Sequence, residues 1–211
     1  TLVNALLHRY PELAHSDDPA RPGIVHRLDK ETSGVICIAR TPRAHAALAG
    51  LFATRKVEKI YLGVCIGVRP PAHEMIDAPI GRNRNDPLRF AVTKKGKSAL
   101  TEAVLEHYTS GLSLMRFQLH TGRTHQIRVH CAWKKHPIVA DALYGDQKAL
   151  MQTIPVLERP KAYAVVKCFS RQALHARSLA FTHPFTEKRV SIQAPLPEDF
   201  CRARQAMEFN C

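Results

Sequence analysis

A chain of 211 residues with 45% hydrophobic content is long enough for one sizeable core and has an ordinary globular composition. Lys+Arg 31 against Asp+Glu 18 gives a formal net charge of +13, the electrostatic footprint of a polyanion binder. Nucleic acid is thus the leading partner class, with charge kept only for solubility as the bland alternative. No apolar run approaches the ~18 residues of a membrane span and no signal-peptide pattern is present. The six cysteines are scattered without a C-x-x-C pair, so reduced thiols, a cytoplasmic protein and no membrane contact are expected.

The chain opens on Thr1 without a methionine, and Leu2, Val3, Leu6 and Leu7 at helical spacing predict an immediate helix, as if cut out of something longer. Prolines and acidic residues make 11–23 a loop. "IVHRL" (24–28) and "GVICIA" (34–39) are candidate strands, and the Asp29 of "GIVHRLDKETSG" falls on the connection between them. Thr41 as cap, Pro42 at the first position and the Ala44, Ala47, Leu48, Leu51, Phe52 periodicity predict an amphipathic helix over 42–54.

The segment 57–68 alternates as a strand. Ile60, Leu62, Val64, Ile66 and Val68 lie on one face, and Lys59, Tyr61, Gly63, Cys65 and Gly67 on the other. That second face is nearly bare around Tyr61, either for close approach of a ligand or because the tyrosine packs beside a loop. Residues 73–100 carry Arg82, Arg84, Arg89, Lys94, Lys95 and Lys97 among turn formers, a basic hairpin or loop that could follow phosphates or be merely solvated.

"ALTEAVLEHY" and "LSLMRFQLH" predict an antiparallel hairpin around Thr109 to Gly111. "HTGRTHQIRVHCAWKKHP" turns from strand to a helix over 124–135 capped by Thr124, with Arg123 just ahead of it in a position suited to an anion. His120, His125 and His130 recur at five-residue spacing, which fits neither a helix face nor a strand face, so no metal site is expected.

Taken together, "HRLDKETSG", "KIY", "TGRTHQIRVH", "HPIVADALYG" and "QALHARSLAFTHP" resemble, in order and spacing, the RluA-type pseudouridine synthases, which isomerise uridine in ribosomal or transfer RNA. The resemblance spans nearly the whole chain. It implies an α/β (α+β) fold, with a mixed, largely antiparallel central sheet, flanking helices and an active-site cleft across the sheet. Residues 1–211 would form a catalytic domain incomplete at its N-terminus and without an upstream RNA-binding module. Ala140 departs from the pattern, standing where a glycine is expected.

The same resemblance implies a role for each matched residue. Asp29 is the essential nucleophile or base, and Tyr61 lies against the uracil face, placed to take the proton from carbon 5. Arg123 pairs with Asp29 and keeps it ionised. Arg27 contacts RNA beside the flipped nucleotide, and His26, Thr32 and Leu174 complete the substrate pocket. Arg82, Arg84 and Arg128 bind RNA more widely. No cofactor or metal is expected. RNA is the expected partner, large-subunit ribosomal RNA ahead of transfer RNA, and the chain is read as a monomer. A non-catalytic RNA-binding domain would not require Asp29, Tyr61 and Arg123 to converge, and a glycosidic hydrolase would normally bring a second carboxylate.

Overall fold

The structure is a computed structural model that describes residues 1–15, 18–67 and 69–208. Val68, at the end of the predicted strand 57–68, lies outside the described residues, as do two residues of the loop 11–23 and Cys211. Thr1 caps α1 (Leu2–Arg9) by accepting the backbone N–H of Asn4, and a 3₁₀ turn over Pro11–His15 begins the stretch predicted as loop. β1 is only Ser33–Gly34.

The candidate strands 24–28 and 34–39 do not form a ladder: the backbone pairing between them is a single antiparallel bridge, Ile24 to Ile38. Their apolar side chains have a different task. Val25, Val35 and Cys37 pack on the small core that α2 (Pro42–Ala53) builds with Ala39, Val57, Leu179 and Phe181. α2 itself starts as predicted, with the Thr41 hydroxyl accepting the Ala44 N–H at 3.2 Å and Pro42 in the first turn.

β2 (Glu58–Ile66), β3 (His73–Asp77), β6 (Leu100–Thr109), β7 (Leu112–Leu119) and β8 (Leu174–Thr182) carry most of the sheet. β4 (Ile80–Arg82) and β5 (Phe90–Val92) form a separate two-stranded arm within the predicted basic segment. The remaining elements are α3 (Gln126–Trp133), α4 (Gln147–Thr153), α5 (Arg159–Val166), β9 (Arg189–Gln193) and α6 (Glu198–Ala206).

The sheet runs β1-β8-β2-β7-β6-β3, with β9 continuing the edge of β8 beyond β1. Among the described residues only the β1–β8 pairing is parallel. Ser110 and Gly111, both left-handed at φ 49° and 71°, make the tight turn that joins β6 to β7 as predicted.

β2, at the centre, is buried on both faces from Leu62 onward. The face read as bare is not open to a ligand there. A Cβ on Gly63 would lie 3.0 Å from the Phe117 ring and 3.1 Å from Ile138, so the glycine makes room for neighbouring core side chains. At Tyr61 the pairing with β8 slips by one residue: Ile60 faces Ser178 and Tyr61 faces Ala176. Such a bulge re-aims a side chain, and it falls where the strand leaves the core.

Candidate active site

The residues of "GIVHRLDKETSG" form a turn rather than a hairpin. The Thr32 N–H donates to the Asp29 carbonyl at 3.0 Å, and Glu31 is held left-handed at φ 71°, a conformation that glycine usually supplies. The turn persists because distant residues brace it. The Gln172 amide donates to the Lys30 carbonyl (2.8 Å) and to the Thr32 hydroxyl (2.9 Å), and Arg171 donates to the Glu31 carbonyl (2.9 Å) while pairing with Asp199 (2.7 Å). Ser33 bonds the His175 ring, and Gly34 approaches Ala176 so closely that a Cβ would sit 2.1 Å from its carbonyl oxygen. With its backbone so fixed, Asp29 keeps its carboxylate free to point into a cleft.

His26 belongs to the same bracing. Its Nε2 accepts the Cys37 backbone N–H at 2.8 Å and its ring stacks on Phe52 at 4.6 Å. It lines the cleft, but the nitrogen that could have met a substrate holds the loop instead. Burial, with the nearby Lys59 charge adding to it, lowers its pKa from 6.5 to about 4. Between those values the unfolded chain binds a proton that the folded one refuses, so stability falls as pH drops from 6.5 toward 4. His26→Gln can still accept from Cys37 but cannot be protonated. In urea melts across that range it is expected to reduce the slope of stability against pH by close to one proton.

Asp29, Tyr61 and Arg123 all line one cleft of about 400 Å³, together with Arg27, Thr32 and Leu174. Arg27 is exposed there, while Leu174 is 3% exposed and serves the core as well as the pocket wall. Tyr61 stands beside Asp29. Burial first, and the carboxylate's charge second, push its phenol well above the ordinary range, so the hydroxyl keeps its proton.

The partner of Asp29 is Arg128, not Arg123. Arg128 Nη1 lies 3.4 Å from Asp29 Oδ2, while its Nε and Nη2 grip Asp141 bidentately at 2.6 and 2.8 Å. The guanidinium is 5% exposed and the Asp141 side chain 0%, against 16% for Asp29, so Arg128 is sealed away from an RNA phosphate and serves the carboxylate instead.

Arg123 donates through Nε to the Ser98 carbonyl at 2.9 Å and remains a cation of the cleft wall. The difference arises at the start of α3. Thr124 does not cap it. His125 is left-handed (φ 55°), and the Gln126 Oε1 reaches back to accept from the Arg123 N–H (3.0 Å) and the Thr121 hydroxyl (2.7 Å). This tight corner leaves Arg123 ahead of the helix and places Arg128 inside its first turns.

Asp141, absent from the sequence-based set, lies in the "HPIVADALYG" stretch. Its Oδ1 also accepts the backbone N–H groups of Leu143 and Tyr144, which folds that loop around Arg128. Ala140 beside it is left-handed at φ 56°, which is why a glycine is the expected residue there.

The spaced histidines do not converge. His130 bonds Thr101 and the Ala78 carbonyl, His125 bonds Tyr144, and His120 lies 3.5 Å from Glu102. Arg82 and Arg84 are on the arm, outside the cleft, beside a concavity of about 290 Å³ that Lys95 also lines. Both arginines are exposed, and Arg82 also donates to the Pro87 carbonyl and lies over Phe90, bracing the arm. Among the described residues no helix is long and apolar enough to cross a membrane.

The fold as a whole is similar to those of known proteins. The family model described as RNA pseudouridylate synthase matches residues 9–133, and the chain belongs to that family. It is 44% identical over 207 residues to ribosomal large subunit pseudouridine synthase D of Xylella fastidiosa, covering 98% of this chain and 60% of that protein. It is 38% identical over 211 residues to YlyB of Bacillus subtilis, named as an uncharacterized RNA pseudouridine synthase, covering 100% of this chain and 64% of that one. The chain thus spans about three fifths of the length of these curated relatives. The solved structure of human RNA pseudouridylate synthase domain containing 1 superposes with a TM-score of 0.70 at 30% identity, covering 93% of this chain and 74% of that one.

Proposed function

We propose that this chain is the catalytic part of an RNA pseudouridine synthase acting on large-subunit ribosomal RNA, with Asp29 as its essential group. The observation that carries this reading is the cleft itself. Among the described residues Asp29 is the only carboxylate that lines it, set against four cations, Arg27, Arg55, Lys59 and Arg123. Asp141 is not part of that lining, so no second carboxylate faces a glycosidic bond as a hydrolase would require. The names of several curated relatives supply the substrate class.

The reaction breaks the bond from the ribose anomeric carbon to uracil N1 and makes one from that carbon to C5. C5 loses its proton and N1 ends with one, so nothing is oxidised or reduced. Asp29 supplies the nucleophilic or basic oxygen, and Arg128 aims it. A neutral phenol at Tyr61 accepts the C5 proton only by handing its own onward, and the carboxylate beside it is the available receiver. The target nucleotide must leave its stack to enter the cleft, at a cost of a few kcal/mol that is smallest in loops, with Arg27 at the cleft surface facing the vacated position.

The test is to incubate the chain with an unmodified large-subunit ribosomal RNA transcript and, in parallel, with unmodified transfer RNA, and to map new pseudouridines. Pseudouridine in the ribosomal transcript is expected. Pseudouridine only in transfer RNA moves the substrate, and none in either RNA overturns the reading.

The arm supplies further RNA contacts through Arg84 and Lys95, with Arg82 bracing them. Arg84→Gln combined with Lys95→Gln is expected to flatten the slope of log affinity against log salt by about one to two units, as each lost phosphate contact retains its counterions. An unchanged slope would make the arm an ordinary solvated hairpin.

A further inference from the structure

His125 lines the cleft without a part in this chemistry. His125 sits between Arg123 and Arg128, its backbone left-handed, its ring met edge-on by Phe90 of the arm and by Tyr144, each at a centroid distance of 5.7 Å. Its Nδ1 is 2.8 Å from the Tyr144 hydroxyl, and that hydroxyl also accepts the Phe90 backbone N–H at 2.9 Å.

The proton assignments follow from donor and acceptor counts. The Tyr144 oxygen already accepts from Phe90 and has one hydrogen to give, and Nδ1 of His125 is its acceptor. The opposite assignment, with Nδ1–H donating, would strand the phenolic hydrogen of a residue only 7% exposed. The ring hydrogen of a neutral His125 therefore sits on Nε2, on the side of the imidazole away from Tyr144.

We propose that His125 presents this Nε2–H to a carbonyl oxygen of the target uracil, and that Tyr144 is the positioning residue that fixes the tautomer. This rests on the pseudouridine synthase reading. Uracil offers two carbonyl acceptors, whereas cytosine replaces one with an amino donor that would meet the same N–H unfavourably. The electrostatics agree with a neutral donor. Burial lowers the pKa of His125, and of the charges that face it, Asp29 and Asp141 raise it while Arg128 and Arg27 lower it. Tyr144 beneath Arg128 stays a phenol, since burial raises its pKa. Because Tyr144 also holds the first residue of β5 and lends its backbone N–H to Asp141, the donor is fixed by the parts that hold the arm and the ion pair.

The test has a spectroscopic and a kinetic arm. Long-range ¹H–¹⁵N spectra of protein labelled in its histidines should show His125 as the Nε2–H tautomer. In Tyr144→Phe the freed Nδ1 should take up a proton at a pH closer to the ordinary value of about 6.5. In single turnover on the unmodified large-subunit ribosomal RNA transcript, His125→Leu is expected to lose about tenfold or more in rate at saturating RNA with affinity nearly unchanged. His125→Gln, whose amide N–H reaches about as far as Nε2, should recover most of that rate. In Tyr144→Phe a neutral ring is free to adopt the Nδ1–H tautomer, so the variant should lose part of the rate at neutral pH and regain it relative to wild type on acidification, because the imidazolium carries Nε2–H again. An Nδ1–H tautomer in wild type, or a wild-type rate in His125→Leu, overturns the proposal. The tautomer is read without turnover, so this failure is distinct from that of the functional reading, which shows as a wild type forming no pseudouridine.

Discussion

Asp29→Asn is expected to turn over at less than about a hundredth of the wild-type rate at every pH, a loss of more than ~3 kcal/mol of transition-state stabilisation, with RNA affinity within a few-fold. The substitution is nearly isosteric. It leaves the Asp29 carbonyl to accept the Thr32 N–H, and the side-chain amide oxygen can still meet Arg128. What it removes is the anionic oxygen, and no change of pH restores one. RNA affinity depends on cations elsewhere in the cleft and on the arm, so filter binding should barely register the change. Turnover above that hundredth would refute Asp29 as the essential group.

Arg128→Met should damage both the fold and the chemistry. It strands two carboxylates, one of them wholly buried, and breaking such a pair by removing one partner costs about 3–5 kcal/mol. Asp141 without its guanidinium is a wholly buried, unpaired carboxylate, and Asp29 loses the group that aims it. Adding Asp141→Asn removes the buried charge and should recover most of the stability, seen in urea melts, while single-turnover rates stay low. If that double variant regains wild-type turnover, Arg128 matters to the fold alone and does not act on Asp29.

Much of this was legible in the sequence wherever a local rule decides the outcome. Thr41-Pro42 with a 3.6-residue period gave α2, and the Ser110-Gly111 turn gave the β6–β7 hairpin. The cleft set of Asp29, Tyr61, Arg27 and Leu174 came from motif order. Reading failed where a side chain's partner lies far along the chain. The apolar run 34–39 has strand composition, but beyond Gly34 its residues fill the space against α2, with a single bridge at Ile38.

Arg123 and Arg128 are equally basic members of one motif. What separates them is a left-handed backbone at His125 and a glutamine that folds back on the helix start, neither of which periodicity reveals. Asp141 was visible only as part of a quoted stretch, because its meaning depends on a guanidinium from α3. By contrast α6, with Glu198 and Asp199 in its first turn after Pro197, carried a local start signal that went unread.

The bracing of the Asp29 turn has a consequence for how the protein is made. Its supports, Gln172, Arg171 and His175, follow it by about 140 residues, and β1 pairs in parallel with β8. Contacts of such long sequence separation close late and slowly, since the entropy of a large loop must be overcome before they return anything. A nascent chain can therefore complete α2, β2 and the β6–β7 hairpin while the segment bearing its carboxylate is still unmoulded. Assembly of the reactive corner is thus expected among the last acts of folding, together with the docking of β8 against β2.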